Sequence, residues 1–409
     1  MTKYLTIDDF RVKDKTVLVR VDFNSPVDPN TKGILEDTRI RAHGETTIKE
    51  LAEKGAKVVV LAHQGRRGDP DFIPLKQHAE ILGKILGKPV KYVDDVFGER
   101  AKNEISKLKS GEILVLDNVR NFAGETKEGT PEEHAKTDLV KNLAPLADYF
   151  VNDAFAAAHR AHVSIIGFTA VLPSAAGRIM ERELKSLSRV IEKPEKPCVF
   201  VLGGAKADDS LEISKYVLDN KLADYVLTGG VVGQVFLAAR NVDLGKANME
   251  FLKKQELMDL IPGIRQLEQR YPDNIKTPVD VAVEASGKRR ELPIEKLPTE
   301  HSIMDIGTRT AQDYSKVIAS AKSIVLSGPM GVYENSEFSY GTKSIFGEIA
   351  KSKAFSLAGG GHTIGALQEF GVSKKISYAS TAGGALIEFL MGKKLPGVVA
   401  LEKAAANRP

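Results

Sequence analysis

Residues 198–210 read CVFVLGGAKADDS, an apolar, β-branched run that stops at two glycines and a lysine. A short continuous apolar run closed by glycine reads as a buried strand, and the segment after it as the start of a helix. The same unit recurs in the second half as ADYVLTGG (223–230), SIVLSGPMG (323–331), AFSLAGGG (354–361) and ISYASTAGG (376–384). In the first half the runs are TVLVRVDFN (16–24), AKVVVLAHQGR (56–66), EILVLDNVR (112–120) and ADYFVNDAF (147–155). Strands that are apolar throughout and alternate with helical segments predict parallel sheets covered on both faces. The P-loop spacing G-x-x-x-x-G-K-[ST] occurs nowhere. Lys206 is therefore either an exposed lysine at a turn or a phosphate ligand in some other architecture.

At 409 residues the chain suits two domains of ordinary size, and its 42% hydrophobic and 27% charged residues suit a globular one. The net charge of +4 is too small to argue for nucleic-acid binding, and no basic arm or tail stands out. No uncharged apolar stretch approaches the roughly 20 residues that span a bilayer. The start, MTKYLTIDDFRVKDK, lacks the pattern of a secretory signal. Cys198 has no partner, which excludes a disulfide framework and a cysteine metal site and suits the reducing cytoplasm. Absent tryptophan, a single cysteine and abundant Lys, Arg and Glu lean toward a thermophilic source.

Between the halves, PSAAGRIMERELKSLSRVIEKPEKP (173–197) places Met180, Leu184, Leu187 and Ile191 on one face and Arg182, Lys185 and Arg189 on the other. This predicts one long amphipathic helix closed by Pro194 and Pro197, the natural connector between domains. The expected architecture is thus an α/β fold with two doubly wound parallel-sheet (Rossmann-like) domains joined by a long hinge helix. The domains are expected over 1–172 and 194–387, with the hinge over 173–193.

In an open parallel sheet, ligands bind beyond the carboxyl ends of the strands. In the second half those ends are glycines five times over: Gly203-Gly204, Gly229-Gly230, Gly328 with Gly331, Gly359 to Gly361, and Gly383-Gly384. Any one pair suits a tight strand-to-helix turn; five on a common rim suit a cradle of backbone amides for a polyphosphate. In the first half the ends carry Arg20, Asp22 and Asn24, then His63 and Arg66, then Arg120, then His159, Arg160 and His162. Arginine gives bidentate, charge-assisted bonds to carboxylate and phosphate, so a small, strongly anionic ligand is expected there. Arg39, in EDTRIRA, belongs either to this rim or to a helix surface. An arginine bowl and a glycine rim with Lys206, joined by a flexing helix, suggest phosphoryl transfer across a closing cleft that excludes water.

These pieces bring a family into view. VRVDFNSP, DTRI, AHQGR, LDNVR, NDAFAAAHRAHVS, VLGGAK, GPMGVYE, GGGHT, STAGG and KKLPGVVAL stand in the order of the phosphoglycerate kinases, which the sequence resembles over essentially its whole length, most of all the archaeal branch. The resemblance implies reversible transfer between ATP, with Mg²⁺, and the carboxylate of 3-phosphoglycerate, giving 1,3-bisphosphoglycerate and ADP in glycolysis or gluconeogenesis. Carried over by position, Asp22, Phe23, Asn24, Arg39, His63, Gln64, Gly65, Arg66, Arg120 and Arg160 would hold the phosphoglycerate. Gly203, Gly204, Lys206, Gly229, Gly328, Pro329, Gly331, Glu334, Gly359, Gly360, Gly361, His362 and Thr363 would hold the nucleotide. Residues 388–409 would pack back on the first domain, and the protein would be a monomer or homodimer without nucleic-acid or membrane partners.

The nucleophile would be a carboxylate, ionised at neutral pH with a pKa of roughly 3.5, so no general base is required. What the reaction needs is cancelled repulsion and in-line positioning, for which Arg39 and Lys206 are the catalytic candidates. His63 would be an orienting donor, and His159 and His162 packing residues. The chain departs from the family pattern at Ser210, where a second lysine often stands, at Ser327, often asparagine, and at His362, often a metal-ligating aspartate. Mg²⁺ prefers oxygen, so His362 is a poor ligand and Asp209 the replacement, with the ion held mainly by nucleotide phosphates. The rival readings are a kinase for a different small acid and a two-lobed anion-binding protein without chemistry. A dinucleotide dehydrogenase would need a G-x-G-x-x-G after a strand, and none occurs.

Overall fold

TVLVR forms strand β1, Thr16–Arg20, in which every residue after Thr16 is buried. Val17 and Val19 face one layer of core and Leu18 the opposite one, so the strand needs cover on both sides. In the computed structural model, which describes residues 4–407, five further strands pair parallel with it or its neighbours. They are β2 (Lys57–Leu61), β3 (Lys91–Tyr92), β4 (Ile113–Val115), β5 (Tyr149–Asn152) and β6 (Ser174–Ala176), in the spatial order β3-β4-β2-β1-β5-β6. Arg20 pairs with Leu61 on one side and Asn152 on the other, so the loops after β1, β2 and β5 emerge side by side. The strand order reverses between β1 and β5, the position at which such a sheet opens a crevice.

A second sheet repeats the design. Its strands are β7 (Cys198–Leu202), β8 (Tyr225–Thr228) and β9 (Ile275–Lys276), then, beyond an insertion, three more. The insertion holds β10 (Asp280–Ala285), β11 (Lys288–Pro293) and β12 (Ile303–Ile306), an antiparallel sheet in the order β11-β10-β12. After it come β13 (Ser323–Ser327), β14 (Phe355–Gly359) and β15 (Tyr378–Ser380), and the parallel order is β15-β14-β13-β7-β8-β9. Here the reversal falls between β7 and β13.

The chain divides into unit 1, Met1–Leu184 with Lys394–Pro409, and unit 2, Lys185–Lys393. The division lies within the connecting helix, Arg178–Ile191, inside the 173–193 segment expected to join the domains. That helix starts later than residue 173, because Ser174, Ala175 and Ala176 pair with β5 as a buried edge strand. Small side chains hid this strand from a reading based on β-branched runs. The return to unit 1 begins at Lys394, six residues after the expected 388: the helix Gly384–Leu390 stays in unit 2, and a Cβ on Gly392 would sit 2.0 Å from the Tyr216 ring. The last helix, Pro396–Ala406, docks on unit 1, where the Gly397 amide donates to Ala158 O at 2.8 Å and Ala400 joins Ala154, Ala157, Ile165 and Ile166. Among the described residues no helix is long and apolar enough to cross a membrane.

Candidate active site

In unit 1 the sequence-predicted cations gather beyond the strand ends. Arg20, almost fully buried, donates from Nη2 to His63 Nδ1 at 3.0 Å and from Nε to Ser164 Oγ at 2.8 Å. Ser164 Oγ in turn lies 2.5 Å from the buried carboxylate of Glu125. Burial, reinforced by the charges of Arg20, Arg120, Arg160 and Arg39, holds His63 well below the ordinary imidazole value. With Nδ1 occupied as an acceptor, the ring hydrogen is on Nε2, so His63 presents a donor and not a base. Arg39 is ion-paired to the buried Asp22 carboxylate, and Asp22 also accepts the Asn24 amide at 3.1 Å. Arg120 bonds to Gly65 O and is pushed down to about 10 by burial and by the Arg160 guanidinium.

Arg66, Arg120, Arg160 and His162 share the wall of a cavity of about 420 Å³ with Phe122 and Glu128. His162, expected as packing, lines this cavity, lies 3.4 Å from Glu128 and is pushed down to about 3 by burial and by Arg160. Arg160 donates to His159 Nε2 at 3.2 Å. So Arg39, Arg120 and Arg160 all act electrostatically on His63, and Arg66 acts on Arg120. Phe23, Gln64 and Gly65 have a different part. Phe23 and Gln64 are fully buried; Gln64 accepts the Ser25 amide at 2.8 Å and donates to Ser25 O and Asp71 O, while Phe23 stacks on His78. Gly65 passes its amide to Asn24 Oδ1 at 2.8 Å. These three residues brace the loops that carry the polar groups.

In unit 2 the glycine rim is built differently from the expected amide cradle. The amides of Gly203, Gly204, Gly229, Gly230 and Gly328 donate to Ser327 O, Pro329 O, Leu202 O, Met330 O and Thr363 Oγ1 at 2.7–3.0 Å. Their purpose is close crossing of loops: a Cβ on Gly328, where φ is +91°, would sit 2.2 Å from Gly203 O. Amides without an intrahelical partner remain in the first turn of the helix Gly361–Glu369, at Gly361, His362 and Thr363, where the helix dipole favours an anion. Lys206, highly exposed, sits at the start of the helix Ala207–Asp219 with its ammonium 3.8 Å from Asp209. Burial, with Asp208 beside it, raises the Asp209 carboxyl above its ordinary value. Among the described residues no group of three or more acids, histidines or cysteines could hold a metal. A single carboxylate suits an ion carried chiefly by phosphates and water.

A cavity of about 460 Å³ opens beside this rim, lined by Gly204, Pro329, Gly331, Glu334 and His362 and also by Phe251, Met304, Val332, Gln234 and Asn248. An apolar slot with a few polar groups fits a flat heterocycle. The second set of residues was missed by sequence reasoning. Val231 and Gln234 follow a glycine pair and so were findable, but Phe251 lies on a helix with no phosphate chemistry and Met304 on the inserted sheet.

Two parallel α/β units, one ending its strands in guanidinium groups and the other in a glycine-rich rim with a heterocycle-sized slot, have the form of a two-substrate phosphotransferase. The family model of phosphoglycerate kinase matches residues 7–393. The chain is 50% identical over 402 residues to the phosphoglycerate kinase of Methanothermobacter thermautotrophicus, covering 98% of this chain and 97% of that one. It is 44% identical over 400 residues to that of Thermococcus kodakarensis, covering 97% and 96%. The crystal structure of phosphoglycerate kinase from Pyrococcus horikoshii superposes with a TM-score of 0.88 at 42% identity, covering 98% of this chain and 99% of that one. The chain belongs to the phosphoglycerate kinase family, phosphotransferases with a carboxyl group as acceptor.

Proposed function

We propose that this protein transfers a phosphoryl group reversibly between ATP and the carboxylate of 3-phosphoglycerate, giving 1,3-bisphosphoglycerate and ADP, as a cytoplasmic enzyme of glycolysis and gluconeogenesis. The observation that carries the reading is the guanidinium cluster around His63, whose free ring position is a donor. A carboxylate oxygen of the acceptor attacks the terminal phosphorus while the bond from that phosphorus to the bridging oxygen breaks and ADP leaves. No proton changes place, so no general base is needed. That agrees with a His63 that burial and neighbouring cations keep neutral. Arg39, Arg66, Arg120 and Arg160 cancel the charge of the acid. Lys206 and the first-turn amides of Gly361–Glu369 receive the phosphates, and the slot beside Phe251 takes the base. Mg²⁺ supplies further charge neutralisation when bound, and Asp209 is the carboxylate we assign to it. Flexing of the helix Arg178–Ile191 would bring the two substrates together.

The test is direct. With ATP, Mg²⁺ and 3-phosphoglycerate, hydroxylamine should trap an acyl phosphate as the hydroxamate, in step with ADP. Arg39→Ala is expected to lose on the order of a thousandfold in kcat/KM, as removal of a charge aimed at the reacting group does. Lys206→Ala should lower kcat far more than it raises the KM for 3-phosphoglycerate. Absence of hydroxamate, or a faster reaction with another acid, would overturn the assignment.

A further inference from the structure

One face of a single helix runs from the arginine rim to the start of the connecting helix. The helical turns Thr38–His43 and Lys49–Glu53 are joined by a wider turn, Gly44–Ile48, whose hydrogen bonds reach one residue further. Arg39, His43, Thr47 and Glu50 follow one another along this helix, the first two bonded to Asp22 and the last two to Arg178. Arg39 pairs with Asp22. His43, buried, accepts the Asp22 amide at Nε2 at 3.3 Å, so its ring hydrogen is on Nδ1, 2.6 Å from Asp153 Oδ2. The other Asp153 oxygen caps the connecting helix, accepting the amides of Ile179 at 2.8 Å and Met180 at 3.3 Å. Thr47 Oγ1 takes the preceding amide, that of Arg178, at 2.8 Å. Glu50 receives the Arg178 guanidinium at 2.6 and 2.7 Å. Gly177 completes the fit, since a Cβ there would lie 2.2 Å from Asp153 Oδ1.

The first three amides of a helix lack internal partners, and their caps fix where the helix begins and how it points. Here all three caps come from groups tied to the Asp22–Arg39 pair or to the helix that carries Arg39. We infer that His43, with Asp153 and Thr47, is a positioning residue that couples occupancy of the Asp22–Arg39 site to the placement of the first turn of Arg178–Ile191. An anion that draws Arg39 away from Asp22 shifts the loop whose amide His43 holds, and the ring passes that shift to the cap. This rests on the reading of Asp22 and Arg39 as the 3-phosphoglycerate site.

The coupling is read by hydrogen exchange on the full-length protein, with and without 3-phosphoglycerate. In the wild type, the acid is expected to change exchange of the Arg178, Ile179 and Met180 amides by about tenfold. In His43→Leu that ligand-dependent change should fall below about twofold, with the KM for 3-phosphoglycerate raised about tenfold and that for ATP unchanged. His43→Gln, whose amide reaches in both directions, should restore part of the response. A purely structural role would speed basal exchange across unit 1 without removing the response to ligand. Should His43→Leu fail to fold, Thr47→Val removes one cap with little change of shape and should weaken the response at Arg178. Full response in the folded variants overturns the coupling while leaving the function intact. A wild type that neither turns over nor responds to 3-phosphoglycerate overturns the functional reading and the coupling together.

Discussion

Glu125 shows how much of the arginine rim is supported from behind. Burial pushes this carboxyl up to about 7, although Arg20 and the two bonds from Ser164 pull the other way. A carboxyl with a raised value binds its proton more tightly folded than unfolded. The stability it contributes is therefore fully present below about pH 4.5 and is lost as pH rises through about 7. Urea unfolding at pH 5 and pH 8 should show the wild type losing up to about 3 kcal/mol more than Glu125→Gln over that interval. Parallel pH profiles would mean that the folded site does not hold the proton. Residues of this kind were illegible in the sequence, because a glutamate in a loop says nothing about its burial. Asp22, His63, Arg120 and Arg160 were legible for the opposite reason: each follows a strand, and parallel pairing in register delivers strand ends to one edge.

Among the elements, parallel strands were readable from their apolar runs, and the elements that escaped notice were the ones without such runs. β6 is three small residues long. The inserted hairpin β10–β11 joins a short apolar stretch, 281–283, to the charged run 288–291 and turns at Ser286-Gly287, both with positive φ, a turn signal that goes unread when attention is on continuous apolar runs. That omission concealed part of the heterocycle slot, since Ile303 and Met304 lie on β12 and Ser302 just before it. The loops after β7 and β13 cross at the strand-order reversal, with Gly203 against Gly328. Gly328→Ala combines a backbone conformation unfavourable to L-residues with a collision against backbone. It is expected to cost about 1–3 kcal/mol and to raise the KM for ATP while sparing that for 3-phosphoglycerate. Steady-state kinetics with each substrate varied in turn would reveal it; equal effects on both KM values would argue against a defect confined to unit 2.

For the molecule as a whole, the sequence indicated two units, a connecting segment within which they divide and a returning C-terminal segment, but it began the connecting helix five residues and the return six residues before packing does. Composition does not change at Leu184 or at Lys394; contacts do. The returning helix is no ornament, since Leu395, Ala400 and Leu401 are buried in unit 1. At about 1.5–3 kcal/mol for each buried leucine, removing residues 394–409 should take away about 5 kcal/mol, comparable to the entire stability of many domains. Limited proteolysis of such a truncated chain is expected to cut throughout unit 1 while leaving 185–393 resistant. Equal resistance of both units would show that the last helix is dispensable.

Unit 2 is one unbroken stretch of chain, whereas unit 1 is assembled from pieces lying on either side of it. During translation, then, the ribosome emits everything unit 2 requires before it emits the closing segment of unit 1. The later-numbered half can mature first, while the earlier-made sheet waits with an uncovered apolar surface around Ala154, Ile165 and Ile166. A chaperone guarding the nascent chain would have most to protect at that surface, and for the whole time that unit 2 is being made.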